Sequence, residues 1–216
     1  MAYRRRRRKT RKSQAWYNKK HSVKDIATQA YHTAKWLASV INVEKKKYDY
    51  DTSYTPDSST GNVVLIPLIG QGLDDDDRTG NSIKSQSILH RGSFIWNSAG
   101  DSVQQLRYMI VVDNQQIGDT APNVGNILTS GSYNGALNPD TLGRFKVLLD
   151  RRMSVYSSKP IIQFKDYLKY SGHVRYNGTT SNDVQKGGIY LVFISSQNGG
   201  NYPTVQSNIR YAYVDN

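Results

Sequence analysis

The sequence predicts an all-β sandwich or barrel, entered through a basic arm and one helix. Three observations carry this. Beyond residue 48, short runs rich in Val, Ile, Tyr and Phe alternate with clusters of Gly, Asn, Asp, Ser and Pro, the punctuation of strands and turns. Residues 22–43 instead place apolar side chains at helical spacing. Of the 29 lysines and arginines, fifteen fall within residues 1–47, against only Asp25 and Glu44. That segment therefore carries +13 and residues 48–216 carry −1, which together give the chain's +12. A nearly neutral body with a cationic arm points to an anionic partner for the arm and says nothing about the fold of the body. A length of 216 residues suits one domain with one sizeable core.

The arm spans residues 1–21. It is basic and polar, with too little apolar surface to offset the entropy of ordering, so disorder is expected of it alone. Arg4, Arg5, Arg6, Arg7, Arg8, Lys9, Arg11, Lys12, Lys19 and Lys20 supply ten cations without one acid. Arginine presents a planar, multidentate fork to phosphate, which lysine does not. Ten such contacts on a single strand would give log K a slope of about −7 against log salt: tight, salt-sensitive and blind to sequence. Tyr3, Trp16 and Tyr17 interleave with the charges, where aromatic rings can stack on bases. A nuclear-import signal needs only a short basic run, and this one continues well past it. The arginine run also lacks the apolar face that membrane-surface binding requires.

The helix is expected over residues 22–43. Ser22 and Asp25 have the spacing of a capping box. Val23, Ile26, Ala27, Ala30, Ala34, Leu37, Ala38 and Ile41 form one apolar stripe, with His32 and Trp36 on the far side. Lys45, Lys46 and Lys47 follow, where cations suit a helix C-terminus. Residues 22–47 thus form a helix and junction, and 48–216 the body. Strands are expected near 43–50, 60–68, 82–96, 103–113, 144–156, 160–170, 188–196 and 207–214. RYMIVVD (107–113) and IYLVFIS (189–195) are nearly continuous apolar runs, as in strands buried on both faces. PNVGNIL, within the connection 114–143, reads as a short helix.

Several function classes are excluded. With no cysteine there is no disulfide scaffold, thiolate metal site or cysteine nucleophile. No hydrolase, nucleotide-binding or metalloprotease motif is present, the four histidines are scattered, and Glu44 is the single glutamate, so the chain is not expected to be an enzyme. The longest apolar run, VVLIPLI (63–69), is strand-sized, and no apolar segment follows the basic start, so neither membrane insertion nor a secretory signal is expected. Asn177-Gly178-Thr179 has the form of a glycosylation sequon, a triplet common by chance. Asp74, Asp75, Asp76 and Asp77 are four adjacent carboxylates. They suit either a hard cation such as calcium or a solvated acidic loop partly relieved by Arg78.

Several segments, in order, carry a resemblance. LIGQGLDDDDRTGNSIKSQSILHRG (68–92), WLASVINVEKKKYDY (36–50), LRYMIVVDNQQ with PNVGNIL (106–128), RFKVLLDRRMSV (144–155) and the terminal YAYVDN are similar to the corresponding segments of small jelly-roll capsid proteins. These are the satellite tobacco necrosis virus type and its relatives in circular, Rep-encoding single-stranded DNA (CRESS DNA) viruses. No single match is specific; the ordered set, covering about residues 36–215, is.

The resemblance implies a single eight-stranded jelly roll in two four-stranded sheets, and a T=1 icosahedral virion of sixty identical chains. It also implies that arm and helix face the interior. The arms would then carry about 780 positive charges against a packaged single-stranded genome. MAYRRRRRKTRK is also similar to circovirus capsid arms, which favours DNA over RNA and a nuclear localisation signal, with an import receptor as a second partner in the host nucleus. Trp36 would face nucleic acid or pack on the body. Satellite members of the family hold calcium between subunits; carried over by position, those ligands fall at Thr79, Ser82 and Asp215, beside Asp74–Asp77. The upstream carboxylate falls on Leu73, a departure from the pattern. The competing class, a cellular nucleic-acid-binding protein, would carry a basic patch on its body as well, which the near-neutral sum argues against.

Overall fold

The computed structural model describes residues 20–40, 44–115, 120–130 and 132–215, and divides into two units, Met1–Asn42 and Val43–Asn216. Within the first unit, α1 spans Val23–Val40. Its start is the expected capping box. The Asp25 amide donates to Ser22 Oγ at 3.2 Å, and Asp25 Oδ2 accepts from the Ser22 amide at 3.2 Å and its hydroxyl at 2.8 Å. These bonds hold the Asp25 carboxyl below its ordinary range.

Among its described residues the second unit holds ten strands: β1 (Glu44–Tyr54), β2 (Asn62–Leu65), β3 (Ser82–Ile95), β4 (Val103–Asp113), β5 (Phe145–Tyr156), β6 (Ile161–Lys169), β7 (His173–Tyr176), β8 (Val184–Lys186), β9 (Gly188–Ser195) and β10 (Thr204–Asp215). Eight match the expected runs. The additions, β7 and β8, are a short pair that extends one sheet beyond β3. β1 begins at Glu44, so Lys45–Lys47 open a strand. No basic residue stands in the last turn of α1.

All pairings between these strands are antiparallel. The first sheet runs β1-β10-β3, with β6 beside the later part of β3 and β7-β8 beside its start; the second runs β2-β9-β4-β5. Strands adjacent in sequence thus fall in opposite sheets through the first half of the chain. This is the nested Greek-key path of a jelly roll.

The core lies between the sheets and includes Ile88, Phe94, Leu106, Tyr108, Phe193 and Tyr211. A second cluster, Met109, Val111, Tyr190, Val192 and Ile194, lines the opposite face of β4 and β9. It is roofed by Val124, Ile127 and Leu128, which belong to α2 (Val124–Ile127) and the residue after it. This explains the continuous apolar runs of β4 and β9: alternate residues serve two cores. Two arginine forks hold the roofing connection down. Arg107 grips Asp150 at 2.9 and 2.7 Å and donates to the Gly135 carbonyl, while Arg144 grips the fully buried Asp113 at 2.9 and 2.6 Å. The outer face of the second sheet is therefore covered.

Candidate functional site

Of the basic residues assigned to nucleic acid, Arg4–Arg8, Lys9, Arg11, Lys12 and Lys19 lie outside the described residues, as does Trp16. Lys20 is exposed. Trp36 is 62% exposed on α1, and the apolar stripe of the same helix is exposed at Val23, Ile26 and Leu37.

The residues assigned to an ion divide into two groups. The carboxylates of Asp74, Asp75 and Asp76 are on exposed residues. Their main chain turns inward, toward a lysine. Lys46, 7% exposed, donates through Nζ to the carbonyl of Asp77 at 2.8 Å and that of Asp74 at 3.5 Å. Tyr213 adds its hydroxyl, donating to the Asp76 carbonyl at 2.7 Å. Asp215 closes the corner: its Oδ2 accepts from the Thr79 amide at 2.6 Å and lies 4.0 Å from Lys46 Nζ, while its buried Oδ1 has no hydrogen-bond partner. Ser82 opens β3 and pairs with Arg175, apart from these contacts.

Thr79 and Asp215 are thus brought together, and the positive charge between loop and C-terminus is an ammonium. Among the described residues, no group of three or more His, Asp or Glu side chains is placed to hold a metal ion. The oxygens turned inward within one chain do not fit calcium, which takes six to eight.

Arg78 does not relieve the Asp run. It is fully buried and turned the other way. Its Nε donates to the Ile69 carbonyl at 3.3 Å, Nη1 to the Gly80 carbonyl at 2.7 Å, and Nη2 to the Gly178 carbonyl at 2.5 Å. The guanidinium stands 4.0 Å over the ring of Tyr176. Arg78 therefore fastens the 69–81 loop to the 177–183 loop. The pairing of the Gln71 amide with the Thr179 carbonyl, at 2.9 Å, joins the same two segments.

The inner core contains one histidine. His90 is fully buried, and its Nε2 lies 2.5 Å from Ser207 Oγ. The rings of Tyr108 and Phe164 meet it edge-on. Burial pushes its pKa down to about 4, so it is neutral at pH 7. Beside it, the Tyr108 hydroxyl donates to Asp166 at 2.8 Å, and Asp166 is paired with Arg151 at 2.6 Å. His90 Nδ1 is buried without a hydrogen-bond partner, while the Tyr108 hydroxyl and Asp166 are both bonded.

The described residues form a jelly roll with one outer sheet face roofed, and the sequence ahead of it is cationic. Residues 8–216 match the family model of the satellite tobacco necrosis virus coat protein, and the chain belongs to that family. No curated protein matches it. Similar solved structures include naturally occurring empty particles of cowpea mosaic virus (12% identity, 81% of this chain and 86% of that chain, TM-score 0.36). A KBV particle activated at acidic pH is also similar (10% identity, 80% and 69%, TM-score 0.34). So is the Gx strain of infectious bursal disease virus (13% identity, 81% and 32%, TM-score 0.27). The protein is a viral capsid protein, a structural component of the virion that assembles with copies of itself, and not an enzyme.

Proposed function

We propose that sixty copies of this chain close into a T=1 shell around a single-stranded DNA genome, neutralised from inside by the leading basic segment. The observation that carries this is charge segregation: residues 1–43, ahead of β1, carry 12 basic residues against Asp25, or +11, while residues 44–216 carry 17 against 16, or +1. The arginine-rich start also supports DNA over RNA and nuclear import before assembly, by its similarity to circovirus arms. Calcium at a subunit interface would need oxygens from a second copy, because within one chain Lys46 already supplies the cation.

The test is to purify particles, extract the nucleic acid and digest it with DNase or RNase. DNase-sensitive, strand-specific material supports the reading; RNase-sensitive material moves the chain to an RNA virus. Removing residues 1–20 should abolish packaging first, and undiminished packaging without them would refute the role given to the arm.

A further inference from the structure

The body's charge sums to nearly zero, but it is not evenly spread. Asp74, Asp75, Asp76, Asp101, Asp140 and Asp183 lie in the connections between strands. The outer face of the first sheet is different. Lys47, Lys84, Arg91, Lys165, Lys169 and Arg175 are all exposed there, and none forms an ion pair among the described residues. The two carboxylates of that face are occupied. Asp49 is bound by Arg210 at 2.8 and 2.6 Å, and Asp51 accepts from Asn208 at 2.5 Å.

The register arranges these residues in rows across the sheet. Asp51, Asn208, Arg91 and Lys165 form one row; Asp49, Arg210, Leu89 and Tyr167 the next; Lys47, Ala212, Ser87 and Lys169 the third. Rows follow one another at about 6.8 Å, two residues of extended strand. Tyr167 is 57% exposed between Lys165 and Lys169, an aromatic ring flanked by two cations. Beyond the first row the face hollows into an open groove of about 890 Å³. Ser93, Gln163, Gln206 and Asn208 line it with hydrogen-bonding groups, and Arg91 and Lys165 stand at its side. The short side chains of Ser53 and Ser93 leave the hollow open.

We infer that this face is a second binding surface for single-stranded nucleic acid, built into the shell wall and separate from the arm. The six free cations take phosphates, Tyr167 stacks a base, and the groove accepts a nucleotide through amide and hydroxyl contacts. Charge complementarity selects this occupant: a desolvated subunit contact would leave six unpaired cations buried. The inference rests on the proposal that the shell packages a genome. It also orients the wall, with the bare sheet inward and the roofed sheet outward.

The test uses full-length protein with its arm intact. Ultraviolet cross-linking of assembled particles, read by mass spectrometry, should attach nucleotides to the peptide containing Tyr167 as well as to the arm. A variant carrying Arg91→Gln, Lys165→Gln, Lys169→Gln and Arg175→Gln should form particles of the same size. Nucleic-acid binding by its dissociated subunits should show a salt slope shallower by about 3, hence lose about 50-fold less affinity between 50 and 200 mM salt. Tyr167→Ala should lose the body cross-link while keeping assembly. Cross-links confined to residues 1–20 with an unchanged salt slope would overturn the inference. So would a folded variant that no longer assembles, which would make this face a contact between copies. Wild-type protein forming no particles would instead overturn the shell reading itself.

Discussion

Arg78→Met tests how the shell domain holds its loops. The guanidinium is fully buried without a carboxylate partner, so its stability contribution comes from carbonyls and one ring. Methionine fills similar space but leaves the Gly80 and Gly178 carbonyls without their donor. Each orphaned acceptor costs about 1–3 kcal/mol, and the lost contact with Tyr176 about 2 kcal/mol more. Relief from desolvating the cation offsets part of this, leaving a net loss of about 3–5 kcal/mol. For a body of this size that lowers Tm by roughly 10 °C. Arg78→Lys should recover little, because a point ammonium cannot span carbonyls on two loops as a planar fork does. The assay is thermal and denaturant unfolding of unassembled subunits. A Tm within 2 °C of wild type for Arg78→Met would refute the reasoning.

Other outcomes follow from the same geometry. Lys46→Met should destabilise the subunit by about 3 kcal/mol, because Asp215 keeps its charge in a corner that has lost its cation. If chelator treatment of wild-type subunits lowers Tm instead, and Lys46→Met does not, a metal ion holds that corner. His90 is neutral in the folded state, with a pKa near 4 against about 6.5 unfolded. Its contribution is therefore intact above pH 6.5, declines as the pH falls, and reaches a loss of about 3 kcal/mol near pH 4. His90→Gln should flatten that part of the stability profile in urea titrations between pH 7 and 4, and an unchanged slope would assign the acid sensitivity elsewhere.

Much of the fold was legible because period and punctuation agree. The continuous apolar runs of β4 and β9 announced burial on two faces, and PNVGNIL announced the helix that roofs one of them. β7 and β8 escaped notice because strands of four and three residues have too few alternations to register. The site was read less well, and for a physical reason. Charge along a sequence reveals a run, such as residues 4–12, but not a face assembled from five strands. The six cations of the first sheet without an ion pair come from β1, β3, β6 and β7, and their charge is offset by acids placed in loops. The alternation in β6, with Gln163, Lys165, Tyr167 and Lys169 facing out, was the one local signal of it. Likewise Lys46 sits in a charged run that reads as the end of a helix, and Arg78 in one that reads as a solvated loop. Only the tertiary structure shows both buried and bonded to carbonyls.

The central claim is that this chain closes into a shell of fixed size around nucleic acid. Electron microscopy of the purified full-length protein, with particle mass measured on the same sample, tests it most directly. The account predicts uniform icosahedral particles containing sixty chains of 24.4 kDa, about 1.5 MDa of protein, with additional mass from nucleic acid. Monomers alone at near-physiological salt, or open assemblies of variable size without nucleic acid, would contradict it.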